Sequence, residues 1–250
     1  MLIGGILDMS TVDYPGKVSS VIFTCGCSFR CPFCHNYKLV LPEYFENCKE
    51  MGPEEILNKI KGWKDFIDAV VFTGGEPCLQ KPEELVKILK GIKSLGLGAK
   101  FDTNGFHPEC VKKILPYVDY FAIDIKAKLN PKNYGKISGK PELGEKIIKN
   151  LMESLKIIKK SGKILEARTT VILGLNDSKE EIKEIVEKIK DYADIYSLQE
   201  FRSEGGTLDP KFKDIKSLPK NHLLNLGKIA KSLGIKKVYV RTISEEKIIT

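Results

Sequence analysis

Short apolar runs recur at residues 18–24, 69–73, 99–103, 120–125, 167–173, 195–201 and 237–241, most of them rich in Val, Ile, Phe, Tyr or Thr. Their length and their β-branched and aromatic content predict strands. Stretches between them carry apolar residues at helical spacing, with lysine and glutamate on the remaining positions. Pro53 opens a helix running to about Gly62, and Pro82 opens another ending near Gly96, because proline suits a first helical turn. Ser178 followed by Glu181 is a capping box that starts a helix running to about Asp191. Pro219 begins a last helix, stopped after Leu233 by Gly234. Strands that alternate with helices make βα units and a parallel sheet, and six or seven such units predict an α/β barrel, complete or partial. No repeat, low-complexity tract or linker divides the chain, so residues 1–250 read as a single domain. Residues 203–218 form the longest loop-like stretch and are a candidate cover for a site.

Composition narrows this little. The chain has 250 residues, 42% hydrophobic and 30% charged, as expected of a globular domain with a substantial core. Its net charge of +8 comes from lysine; the arginines are Arg30, Arg168, Arg202 and Arg241. Lysines interleaved with glutamates, as across 180–184, describe solvated helix faces. Clustered arginines with interleaved aromatics are missing, so no nucleic-acid partner is expected. No apolar run approaches the ~20 residues of a membrane span, and Met1-Leu2-Ile3-Gly4-Gly5 lacks the basic start of a secretory signal. A cytoplasmic location without membrane attachment is the expectation.

In a barrel, chemistry collects where strands end and loops begin, and the polar signals fall there. Cys27 to Cys34 follow the first predicted strand, Gly74-Gly75-Glu76-Pro77 the second and Thr103-Asn104-Gly105 the third. Asp124-Ile125-Lys126 ends the fourth, and Arg168 lies in the fifth. Gly74 and Gly75 let backbone approach a ligand, and the Glu76 carboxylate can receive an ammonium. Gly-Gly-Glu-Pro is also a common strand-to-helix turn, and Asn104-Gly105 a turn signal. Asp102 and Asp124 can hold an amine, a cation or a hydroxyl, and Lys126 or Arg168 a carboxylate. Together they describe a site for a zwitterion.

The cysteines carry the sharpest signal. Seven cysteines, three of them spaced C-x3-C-x2-C at Cys27, Cys31 and Cys34, argue against a secreted disulfide framework. Three thiolates fit a four-iron cluster with one iron left open to a ligand that is not protein. The competing reading adds Cys25 to make a four-thiolate zinc site, which would give a binding module without catalysis. Against it, Cys25 ends an apolar run as packing thiols do, and no second C-x2-C hairpin exists. Cys48, Cys78 and Cys110 read as packing cysteines. Phe33 suits either an aromatic base beside a cluster or simple packing, and His35 a contact rather than iron ligation.

These residues resemble the radical S-adenosylmethionine (SAM) superfamily, in C-x3-C-x2-C at Cys27, Cys31 and Cys34, in Phe33 and in Gly74-Gly75-Glu76-Pro77. More narrowly, the chain resembles activating enzymes of glycyl-radical enzymes, above all that of anaerobic ribonucleoside-triphosphate reductase. This rests on Thr11-Val12-Asp13-Tyr14-Pro15-Gly16, Cys34-His35-Asn36, Asp102-Thr103-Asn104-Gly105, Asp124-Ile125-Lys126 and Arg168. The resemblance implies a partial (β/α)6 TIM-like barrel with a core over about 16–202 and a C-terminal extension over about 203–250. It implies a 4Fe–4S cluster on Cys27, Cys31 and Cys34 and reductive cleavage of SAM to a 5′-deoxyadenosyl radical. That radical takes hydrogen from a glycine of a partner protein, with reduced flavodoxin or ferredoxin as electron donor. Gly74, Gly75 and Glu76 would meet the methionine amine, Lys126 and Arg168 the carboxylate or ribose, and Phe33 and His35 the adenine. Asp102, Thr103 and Asp124 match positions that hold a monovalent cation in a related activator, and Arg202 falls where such activators place a histidine near adenine. A radical SAM enzyme acting on a small biosynthetic molecule is the near alternative.

Overall fold

All seven apolar runs become neighbouring parallel strands in a computed structural model, which describes residues 1–243 and 245–249. In chain order the strands are β1 (Leu2–Tyr14), β2 (Lys17–Thr24), β3 (Lys49–Glu50), β4 (Ala69–Gly74), β5 (Gly98–Thr103), β6 (Tyr120–Asp124), β7 (Ile164–Val171), β8 (Ile195–Glu200), β9 (Lys237–Arg241) and β10 (Glu246–Ile249). The helices are α1 (Tyr37–Val40), α2 (Pro53–Trp63), α3 (Pro82–Ser94), α4 (Pro108–Ile114), α5 (Pro131–Ile137), α6 (Gly144–Ser161), α7 (Lys179–Ile189) and α8 (Lys220–Ser232). Strand order is β10-β9-β8-β7-β6-β5-β4-β2-β1-β3, parallel from β2 to β9 and antiparallel at both flanks. The order runs from one end strand, β10, to another, β3, so the barrel is partial.

Two faces of this sheet do different jobs, and strand parity assigns them. Val70 and Phe72 of β4, Phe101 of β5, Phe121 and Ile123 of β6 and Leu198 of β8 join the buried core that packs beneath the helices. Alternate positions face inward. There Val21, Ala69, Val71, Tyr120 and Ala122 make a small apolar floor, and Lys100, Asp102, Asp124, Glu166 and Arg168 share the same parity. Glu166 is fully buried and accepts from Tyr120 Oη at 3.0 Å and Arg241 Nη1 at 2.7 Å, so the floor also carries a satisfied charge.

The stretch from residue 203 onward is no appendage. Its α8 packs on β9, and β9 extends the parallel sheet from β8, so it supplies a seventh strand–helix unit. Positions 244 and 250 of the single-domain expectation lie outside the described residues. Two packing assignments need correction: Cys25 and Cys48 form a disulfide that ties the loop after β2 to the segment before β3. Cys78 and Cys110 are buried free thiols.

Candidate active site

The loop after β2 is held from several sides. Arg30 N donates to Ser138 O at 2.8 Å, and the Arg30 guanidinium donates to Cys27 O at 2.7 Å and Phe29 O at 2.8 Å. Asp209 N donates to Pro32 O at 2.8 Å and Leu208 N to Cys34 O at 3.0 Å. Residues 203–218 therefore clamp the cysteine loop, and Phe212 packs its ring against Phe33 at 6.4 Å. Ser28 Oγ lies 2.7 Å from His107 Nε2, which fastens the same loop to the β5 side.

Cys27, Cys31 and Cys34 line one cavity of about 270 Å³ at the C-terminal ends of the parallel strands. Phe33, His35 and Asn36 extend that wall; Gly74 and Gly75 line it from β4, and Asp102, Thr103 and Asn104 from β5. Asp124 enters from the end of β6 and Lys126 just after it, Arg168 and Thr170 from β7, Gln199 from β8 and Phe201 just past its end. Thr170, Gln199 and Phe201 were missed from sequence, although each keeps the inward parity set by Arg168 and Ser197.

Charge in the cavity is organised as a ladder. Arg168 donates through Nη1 to Asp102 Oδ2 at 2.9 Å and through Nε to Asp124 Oδ1 at 3.0 Å. Lys100 Nζ meets Asp102 Oδ1 at 2.6 Å, and Lys126 Nζ meets Asp124 Oδ2 at 3.3 Å. Burial pushes the Asp124 carboxyl up, but Lys126 and Arg168 outweigh it and bring it down to about 2. For Asp102, Arg168 and Lys100 likewise overcome burial and lower it. Side-chain cations thus pair with both acids, and Thr103 Oγ1 donates to Glu76 at 2.7 Å, so the three residues expected at a monovalent cation are each engaged by protein groups in this structure.

Glu76 also departs from expectation. It is fully buried, and Oε1 accepts from Thr103 Oγ1 at 2.7 Å and Cys78 N at 3.0 Å, while Oε2 accepts Asn104 N at 2.7 Å. Its carboxylate ties the β4 and β5 loops together and does not line the cavity, so it is not positioned to receive an ammonium. The glycines serve a backbone contact as well as the cavity. A Cβ on Gly75 would lie 2.1 Å from Gly26 O, and Gly74 has φ 107. Arg202 is exposed, does not line the cavity and donates to Thr242 O at 3.2 Å, while burial, together with the charges of Arg202 and Lys126, holds the His35 imidazole below its usual range.

The donor set suits an iron–sulfur cluster. Burial pushes the thiols up, Cys27 to about 12 and Cys31 to about 11, and raises Cys34 as well, so metal binding would have to displace three protons. Nearby Lys126 acts in the opposite direction on all three. The four-thiolate zinc set cannot assemble, because the Cys25 sulfur is bonded to Cys48. Three soft thiol donors on one cavity wall, facing fixed cations, match cysteine ligation of a cluster with room beside it.

The family model described as the radical SAM superfamily matches residues 21–189. A protein of Methanocaldococcus jannaschii named as a glycyl-radical enzyme activating enzyme is 39% identical over 247 residues, covering 97% of each chain. The pyruvate formate-lyase-activating enzyme of Clostridium pasteurianum is 32% identical over 245 residues, covering 92% of this chain and 97% of its own. A radical SAM methyltransferase structure from Sphaerobacter thermophilus superimposes with TM-score 0.71 at 16% identity, over 92% of this chain and 67% of that one, a likeness of fold alone. The chain belongs to the radical SAM superfamily, and within it to the glycyl-radical enzyme activating enzymes. Membership implies a 4Fe–4S cluster, SAM and oxidoreductase-type activity on a protein substrate.

Proposed function

We propose that Cys27, Cys31 and Cys34 ligate the cluster, that SAM occupies the cavity they line, and that the partner is anaerobic ribonucleoside-triphosphate reductase. When bound, the cofactor pair supplies one-electron cleavage chemistry and the hydrogen abstraction that follows it. The chain's residues hold and orient. Lys126 and Arg168 are fixed cations for a carboxylate or ribose, held in place by Asp124 and Asp102. Gly74 and Gly75 offer a wall free of side chains for the methionine end. Phe33 and His35 border the space for adenine, and Phe201 closes the far side against water. Reduced flavodoxin or ferredoxin serves as electron donor, and the enzyme works in the cytoplasm; no helix among the described residues is long and apolar enough to cross a membrane.

The observation that carries this reading is the convergence of three thiols and a cation-lined pocket in one cavity at the strand ends. The Clostridium pasteurianum relative favours a second partner, pyruvate formate-lyase. Anaerobically reconstituted protein, reduced and mixed with SAM and each candidate partner in turn, tests both by electron paramagnetic resonance (EPR). A glycyl doublet only with the reductase supports the first reading, and one only with the lyase replaces it. SAM cleavage without either doublet points to a small-molecule substrate.

A further inference from the structure

Asn104 is buried, lines the cavity and is immobilised at three points. Its backbone N–H donates to Glu76 Oε2 at 2.7 Å. Its Oδ1 accepts the Phe106 N–H at 2.9 Å, which settles the orientation of the amide. The opposite end of that amide, Nδ2, then points at Cys27 Sγ and donates to it at 3.8 Å. The same sulfur accepts the Phe29 N–H at 3.4 Å. Glu76, Asn104 and Cys27 thus form a rigid relay from the β4 loop, through the β5 loop, to one thiol.

We propose that Asn104 is a positioning residue that sets the electron affinity of the cluster through its hydrogen bond to the Cys27 sulfur. This rests on the reading that Cys27 ligates an iron–sulfur cluster. A donor to a ligating sulfur stabilises the electron-richer state and so raises the reduction potential. The amide cannot turn away without stranding the Phe106 N–H. It supplies its dipole at no cost in reorganisation.

The test is a midpoint potential, read by EPR-monitored redox titration of the reconstituted protein without SAM or partner. Asn104→Leu removes the donor. Asn104→Asp keeps the acceptor for the Phe106 N–H and the backbone bond to Glu76, and puts an anion beside the sulfur. Midpoints should fall in the order wild type, Asn104→Leu, Asn104→Asp. If the leucine variant does not fold, the aspartate variant decides alone. Identical midpoints in loaded wild type and variants overturn the proposal while leaving cluster ligation intact, as does an aspartate variant lying above leucine. A folded variant that takes up no iron also overturns it, because a residue that only tunes is not needed for assembly. Wild-type protein that takes up no iron sinks the ligation reading itself, and the proposal with it.

Discussion

Arg168 sits between Asp102 and Asp124, and that triplet sets the response of the site to acid. Both carboxyls are held below their usual range in the folded protein. Their contribution to stability is therefore fully present above about pH 4, where the unfolded chain's aspartates ionise. It is lost as pH falls through the folded value, about 2 for Asp124. Melting temperature should drop between pH 4 and pH 2, and Arg168→Gln should move that loss to higher pH; a variant whose acid profile overlays wild type would contradict the pairing. Glu76 makes the other prediction at this scale. Glu76→Ala leaves the Thr103 hydroxyl and the Asn104 and Cys78 N–H groups unpaired in the core, a loss of about 2–4 kcal/mol in denaturant unfolding. A change under ~1 kcal/mol would mean that the carboxylate is not the tie described. Sequence had marked Glu76 as a ligand because a carboxylate at a strand end looks the same whether it faces the cavity or its neighbouring loop. Only the three donors around it distinguish the two.

Between elements, contacts too close for a side chain hold the rim together. A Cβ at Gly139 (φ 65) would lie 2.1 Å from Arg30 O, and one at Gly75 equally close to Gly26 O. Neither neighbour is a flexible side chain, so Gly75→Ala and Gly139→Ala should each displace the cysteine loop. Anaerobic reconstitution should then yield sharply less iron per chain, while far-UV circular dichroism keeps the barrel's signal; normal iron uptake would show that the loop tolerates the shift. The Cys25–Cys48 bridge closes a 23-residue separation, and breaking it by Cys48→Ser should cost about 3 kcal/mol, read by chemical denaturation. The parallel strands were legible because each keeps β-branched or aromatic residues on the face beneath the helices, such as Phe72, Phe101, Phe121 and Val240, in short runs bounded by turn residues. β1 was not, since Gly4, Gly5, Asp8 and Asp13 interrupt it and its register against β2 shifts repeatedly. α6 was missed as well: its first turn follows Leu143, with no side-chain cap to mark it. The bridge was invisible too, because Cys25 and Cys48 are brought together only when β3 pairs with β1.

For the whole molecule, six parallel strand ends, those of β2 and of β4 to β8, deliver the thiols, the charged ladder and the glycine wall to one cavity, and the partial barrel leaves its flanks as separate edges at β3 and β10. That convergence was readable from order alone, because each polar cluster follows an apolar run. The clamp by residues 207–209 was not, since backbone donors carry no sequence signature. The most direct measurement is Mössbauer spectroscopy of anaerobically reconstituted ⁵⁷Fe protein before and after SAM is added. The account predicts about four irons per chain, with the signal of one iron alone shifting on addition. Four irons that all stay unchanged, or a chain that takes up zinc in place of iron, would contradict it.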